Sequence, residues 1–387
     1  MAKEIARRKI LQGSAAFAGL AALGIPNWAL PALAQDETLI PFTDIPENFN
    51  TNPSEQVRFL DIRRINSQFT PINQFFTVQH YGQPQLDGQS FRLKLSGLLE
   101  RPMQFSLSDL RSMQSLELPA GFECSGNSPR RVHGLVGNGL WKGVPLRNLL
   151  ENVGVKKEGK EIVFFGADRG EEQVQFRGRN HTVEQQFGRS LSIDEASNQD
   201  TLLAYELNGE PLTRHQGYPL RLITPGWYGV ANVKWLVQVH IQEGRYLGKY
   251  QARWYRTLRA EMIDGDLKYK ETAISRLRLK SIVARVTQEK NQHKILGFVL
   301  NDGTPLKSVE VKIDDGAWEQ ATFDSANTKY SWKLFNFYWP NATPGEHTIV
   351  SRVTDERGNV QPILNELENK MTFLENNAQF PRTVMIE

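Results

Sequence analysis

Gly121-Phe122-Glu123-Cys124-Ser125-Gly126-Asn127-Ser128-Pro129-Arg130-Arg131 holds the only cysteine among 387 residues. A lone thiol is a liability where oxidants are present, because it can oxidise or pair with the wrong partner. The N-terminus carries the marks of an export leader, so this thiol needs a reason to be there. A thiolate is a strong, soft metal ligand, and Arg130 and Arg131 alongside favour its ionised form. The plainer reading is a buried thiol packed as a small hydrophobe. The flanking Glu123-Cys124-Ser125-Gly126-Asn127 and the paired arginines favour ligation, so Cys124 is the candidate metal ligand.

Upstream, the chain opens on Lys3, Arg7, Arg8 and Lys9, followed by an uncharged stretch from Ile10 to Ala34. That stretch ends in Ala32-Leu33-Ala34, a small-x-small cleavage pattern. Arg7-Arg8-Lys9-Ile10-Leu11 resembles a twin-arginine signal, a route that carries folded proteins to the periplasm. An uncleaved membrane anchor is the rival, but Gly13, Gly19, Gly24, Pro26 and Pro31 interrupt the stretch. The leader, residues 1–34, carries four of the 46 basic residues and one of the 43 acids. The chain from residue 35 onward is therefore balanced, 42 against 42, which implies no general affinity for nucleic acid and leaves room for local basic patches. No later stretch is apolar enough to insert stably in a bilayer.

The remaining length suits two domains. Residues 35–70 are polar and proline-spaced and are expected to lie over the surface of the domain that begins near residue 71. Residues 71–270 mix patterns. Phe91-Arg92-Leu93-Lys94-Leu95 alternates as a strand, Ser106-Leu107-Ser108-Asp109-Leu110 reads as a capped helix start, and Pro145–Leu150 as another helix. Glu161–Phe165, Pro219–Ile223 and Val233–Val239 read as strands, giving an α+β catalytic domain rather than regular βαβ winding. From 271 to 387, strand-like runs such as Val309-Glu310-Val311-Lys312-Ile313 alternate with evenly spaced turns. These include Asn301-Asp302-Gly303, Asp314-Asp315-Gly316 and Glu356-Arg357-Gly358-Asn359. They predict an all-β, immunoglobulin-like sandwich that holds without a disulfide.

Four segments of the first domain are richer in glycine and polar residues than a core requires. They are Phe75–Gly82, the cysteine run continuing to Trp141, Phe165–Arg169, and Arg214–Arg221 leading to Thr224–Trp235. Together they resemble the sulfite oxidase family of molybdenum enzymes. The cysteine run and the run from Gly217-Tyr218-Pro219-Leu220-Arg221 to Val233-Lys234-Trp235-Leu236 carry most of the match. The resemblance implies a molybdopterin cofactor with one molybdenum per chain, bound through the pterin dithiolene and Cys124. It implies Arg221 and Lys234 on the phosphate, and Asp168, His80, Gln79, His215, Gln216 and Asn232 around the pterin. Tyr255 matches the family's active-site tyrosine, a hydrogen-bond donor beside the reacting oxygen. Arg130 and Arg131 are its candidate substrate holders. Each residue also has a plainer reading: Arg221 paired with an acid, Lys234 solvated, His80 structural, Asp168 in an ordinary turn, Tyr255 packed in a core.

The chain departs from the family in ways that bear on substrate. Val78 stands where sulfite-oxidising members carry an arginine, and Asn301–Lys307 lacks another. Ser128-Pro129 precede the arginine pair, and Gln216 aligns with the family histidine while His215 sits one place earlier. Each lost charge-assisted contact weakens oxyanion binding by roughly 1.5–3 kcal/mol. The expected function is oxygen-atom transfer, sulfite to sulfate, with electrons leaving to an external acceptor such as a cytochrome c. With one cysteine the chain has no haem-attachment motif, so no haem is expected in it. A less charged substrate such as a sulfoxide, reduced rather than oxidised, is the alternative. A cofactor-free exported binding protein is the non-enzymatic one. The resemblance also implies a homodimer through the sandwich.

Overall fold

The computed structural model describes residues 37–46, 49–290, 292–367 and 374–387. The leader lies outside the described residues. Among them, no helix is long and apolar enough to cross a membrane.

Two sheets build the first core. One runs in the order Met103–Ser106, Arg92–Gly97, Leu236–Gln242, Glu161–Phe176, Arg179–Ser192. Its pairings are antiparallel except that between Leu236–Gln242 and Arg92–Gly97. The other runs Glu210–Pro211, Leu202–Leu207, Val136–Pro145, Leu116–Glu123, with Arg221–Ile223 also on Leu202–Leu207. Alternation explains the edges: Leu93 and Leu95 point inward while Arg92 and Lys94 stay exposed. Strands dominate, and the helical part of the expected α+β pattern is confined to short pieces. Leu107–Ser112 starts on a capping box made by Ser106 and Asp109. Leu146–Val153 buries Leu146, Leu149, Leu150 and Val153, a stripe at helical spacing.

A second core lies between two wholly antiparallel sheets. The first orders Thr38–Ile40, Lys280–Glu289, Gln292–Leu300, Lys333–Trp339, Thr322–Phe323. The second orders Glu319–Gln320, Leu306–Ile313, Gly345–Asp355, Arg382–Ile386. Ile282, Val299, Val309, Val311, Phe335 and Val353 fill the space between them. The expected surface course of residues 35–70 is corrected here. Thr38–Ile40 is an edge strand, and Phe42, Ile45, Leu60, Ile62 and Ile65 are buried in this second core. Isolated apolar residues between prolines sink individually, a pattern without periodicity. Asp44 pairs with Arg382 at 2.9 Å, and Arg285 donates to the Ile65 carbonyl, which fixes the segment in place.

Candidate active site

Strands Leu116–Glu123 and Val136–Pro145 pair in full register, and the loop between them carries Cys124. Asn127 organises that loop. Its side-chain amide donates to Glu123 Oε2 and to the His133 carbonyl, both at 2.9 Å, and its oxygen accepts from the Leu135 amide at 3.0 Å. Glu123 in turn meets Lys280 of the second core at 2.9 Å, each side chain only 2% exposed. Val132 and His133 adopt left-handed φ of 49° and 53°, a strained turn that these surroundings hold.

The loop places the thiol where two cavities meet. The inner one, of about 70 Å³, is lined by Thr77, Gln79, Asp168, Gln216, Arg221, Asn232 and Lys234 along with aromatic residues. The outer one, of about 740 Å³, is a vestibule walled largely by Val57, Phe59, Leu135, Trp254 and Leu374. Cys124, Tyr255, His80 and Val78 line both.

Two cations floor the inner cavity without a carboxylate bonded to either among the described residues. Arg221 donates to the carbonyls of Gln216 and Asn232 at 3.0 and 3.1 Å and lies 4.8 Å over the Trp141 ring. Burial drops its pKa to about 9. Lys234 Nζ donates to the Thr77 hydroxyl at 3.0 Å and the Val78 carbonyl at 3.2 Å; burial, then Arg221, lowers it well below the ordinary amine range. Trp235 beside it sits at a φ of 49°, unusual for a bulky side chain. Asp168 is 4% exposed, and burial pushes its carboxyl up to about 6. Asp168 Oδ1, Gln79 Oε1 and Arg221 Nε are buried with no hydrogen-bond partner among the described residues. Buried polar atoms are ordinarily satisfied, so the two oxygens call for a group that offers donors, while Arg221 Nε calls for an acceptor.

At the junction, Tyr255 Oη and His80 Nε2 lie 3.0 Å apart. His80 stacks on Tyr250 at 4.6 Å, and burial, then Lys234 and Lys249, lowers it to about 4. The imidazole is therefore neutral at pH 7. Burial raises the Tyr255 phenol far above its ordinary range, so it stays a donor.

Three expectations need correcting. The Cys124 thiol is pushed up by burial, which outweighs Arg131, so the arginines alone do not ionise it; only a bound metal deprotonates it outright. Arg131 lines the vestibule, whereas Arg130 lines neither cavity. Gln216 lines the inner cavity, but the His215 ring turns to Arg58, 3.4 Å away, and contributes its carbonyl to Lys234. Asn232 lines the cavity with its side chain occupied by the Thr224 amide and the Tyr228 carbonyl. Thr77 and Phe187 were not singled out in the sequence; Thr77 falls in the first polar segment, two places before Gln79, and Phe187 gave no signal.

The family pattern described as an oxidoreductase molybdopterin binding domain matches residues 80–250. Sulfite oxidase of Arabidopsis thaliana is 26% identical over 352 residues, covering 82% of this chain and 86% of that protein. Sulfite oxidase of Gallus gallus is 29% identical over 347 residues, 81% of this chain and 71% of that one. The crystal structure of the sulfane dehydrogenase SoxCD from Paracoccus pantotrophus superposes with a TM-score of 0.73 at 25% identity, over 88% of this chain and 89% of that one. Fold, cavity and domain match define a molybdopterin-binding oxidoreductase. Over most of its length the chain is similar to the sulfite oxidase family of these enzymes. The orphaned buried atoms and the unpaired Arg221 and Lys234 fit that cofactor.

Proposed function

We propose that this chain is an exported, periplasmic dehydrogenase that oxidises sulfite to sulfate and passes electrons to an external redox protein, a cytochrome c. The observation that carries the proposal is the seat of Cys124. Its thiol stands where a cation-floored inner cavity opens into a vestibule reached by Arg131. Bound there, the cofactor supplies a metal centre that exchanges an oxygen atom and takes up an electron pair. Overall, sulfite and water give sulfate, two protons and two electrons.

The chain's own residues do the rest. Cys124 ligates the metal. Arg221 and Lys234 hold the cofactor phosphate, which repays part of the cost of burying two cations. Asp168 and Gln79 accept from the pterin edge. Tyr255 presents its proton to an oxygen in the vestibule when His80 Nε2 donates to the phenol oxygen. Arg131 holds the substrate's charge, and Val78 leaves that charge otherwise unmatched. We read the C-terminal pair of sheets as an immunoglobulin-like module that dimerises the enzyme.

The mostly apolar vestibule wall supports a second reading, a less charged substrate such as a sulfoxide. Steady-state assays with sulfite and a sulfoxide panel separate the two. Saturation only at very high sulfite concentration argues for the second. For export, the mass of the protein recovered from the periplasm should begin at Gln35; a chain retaining residues 1–34 there contradicts leader cleavage.

A further inference from the structure

We infer that the mouth of the vestibule is a docking face for an acidic redox protein. The inference rests on the proposed function, in which electrons leave this chain for an external protein. Arg131 of the vestibule lining, its chain neighbour Arg130, and Arg253 next to Trp254 of the vestibule wall are exposed, and none has a carboxylate partner among the described residues. Their neighbours are already paired: Arg245 with Glu161 at 3.6 Å, Arg256 with Glu271 at 2.5 Å, and Lys249 with Glu172. From Arg245 to Arg256 the chain carries four cations and no acid. Three of these four are neutralised by glutamates from elsewhere in the fold, so the unpaired charge rests on Arg130, Arg131 and Arg253.

A small substrate does not account for it, since Arg130 and Arg253 line neither cavity. A macromolecular partner does. Trp254, in the vestibule wall, is 58% exposed, and its ring is braced by Lys249 Nζ 3.7 Å from its centroid. Exposed tryptophan in a run with Arg253 and Arg256 has the composition of an interface centre. The two-stranded ribbon Arg256–Ile263 and Asp266–Ala273 comes immediately after, with exposed Met262 opposite Leu267 and Ala260 opposite Tyr269 on one face. Among the described residues this ribbon pairs with no further strand, which leaves that face open to a partner. The seat also suits electron transfer. His80 stacks on Tyr250 at 4.6 Å, and Tyr250 meets Trp254 at 6.0 Å, so aromatic contacts run from the cavity to the exposed indole.

The test uses the molybdenum-loaded full enzyme with two probes, an acidic and a basic c-type cytochrome. At low salt, kcat/KM for the acidic one should exceed that for the basic one by about tenfold or more, the difference closing between roughly 20 and 300 mM salt. The double variant Arg130→Glu, Arg253→Glu should lower the acidic cytochrome's rate about tenfold. It should leave unchanged the rate at which sulfite bleaches the enzyme before any acceptor is added. Binding of the acidic cytochrome, read by sedimentation without substrate, should weaken in parallel. A faster reaction with the basic cytochrome, or charge reversal without effect on binding, overturns the docking face. If sulfite fails to bleach the parent enzyme, the substrate reading falls, and the docking face is still decided by sedimentation.

Discussion

Tyr255 and His80 share one hydrogen bond at the junction of the cavities, and the fold has removed charge from both. Tyr255→Phe keeps the ring packing and deletes the only proton it can offer. Turnover should fall about 10- to 100-fold with little change in urea midpoint; unchanged turnover removes Tyr255 from the chemistry. His80 and Asp168 titrate in opposite senses. An unfolded imidazole titrates at 6.5 and the folded one at about 4, so between these values the unfolded state holds the extra proton. Stability then falls as pH drops. The Asp168 carboxyl moves from 3.8 to about 6, so in that window the folded state holds the extra proton and stability falls as pH rises. In cofactor-free protein the two largely offset. His80→Gln should flatten the acid loss and Asp168→Asn the neutral loss, each by roughly 2–3 kcal/mol between pH 4.5 and 7. Urea unfolding of the three proteins measures this, and an unchanged pH slope in either variant refutes its assignment. Residue types here were legible. Cys124, Asp168, Lys234 and Tyr255 stand in glycine-bearing or aromatic runs that a core does not need. Their protonation was not, because burial outweighed the neighbouring arginines at Cys124.

The loop after strand Leu116–Glu123 depends on an ion pair between residues 157 apart in sequence. Glu123 gathers Lys280 and Asn127, and Asn127 ties both ends of the Cys124 turn. Lys280→Met leaves the Glu123 carboxylate buried without its cation, at a cost of about 3–5 kcal/mol. Adding Glu123→Gln should restore part of that loss. A double variant no more stable than Lys280→Met alone would count against the pair as the loop's anchor. Nothing in the sequence showed this contact, since Glu123 reads as part of a motif and Lys280 as the start of a strand. Local signals fared better. Ser106 with Asp109, Leu146–Val153, and the turns at Asp302-Gly303 and Asp314-Asp315 were readable because capping, stripe and turn chemistry act within a few residues.

Across the whole molecule, two cores meet around the Cys124 loop, and the N-terminal segment stitches onto the second. The two-part division showed in the change of texture near Ser275, whereas the burial of Phe42, Ile45 and Leu60 did not. Single apolar residues in an irregular segment carry no period to read. The account turns on a bond between the sulfur of Cys124 and molybdenum. X-ray absorption at the molybdenum edge, on enzyme matured in a host that makes the cofactor, tests it most directly. The parent should contain about one molybdenum per chain, and Cys124→Ser should lose one sulfur neighbour from the metal's shell. An identical sulfur shell in parent and variant would contradict the account.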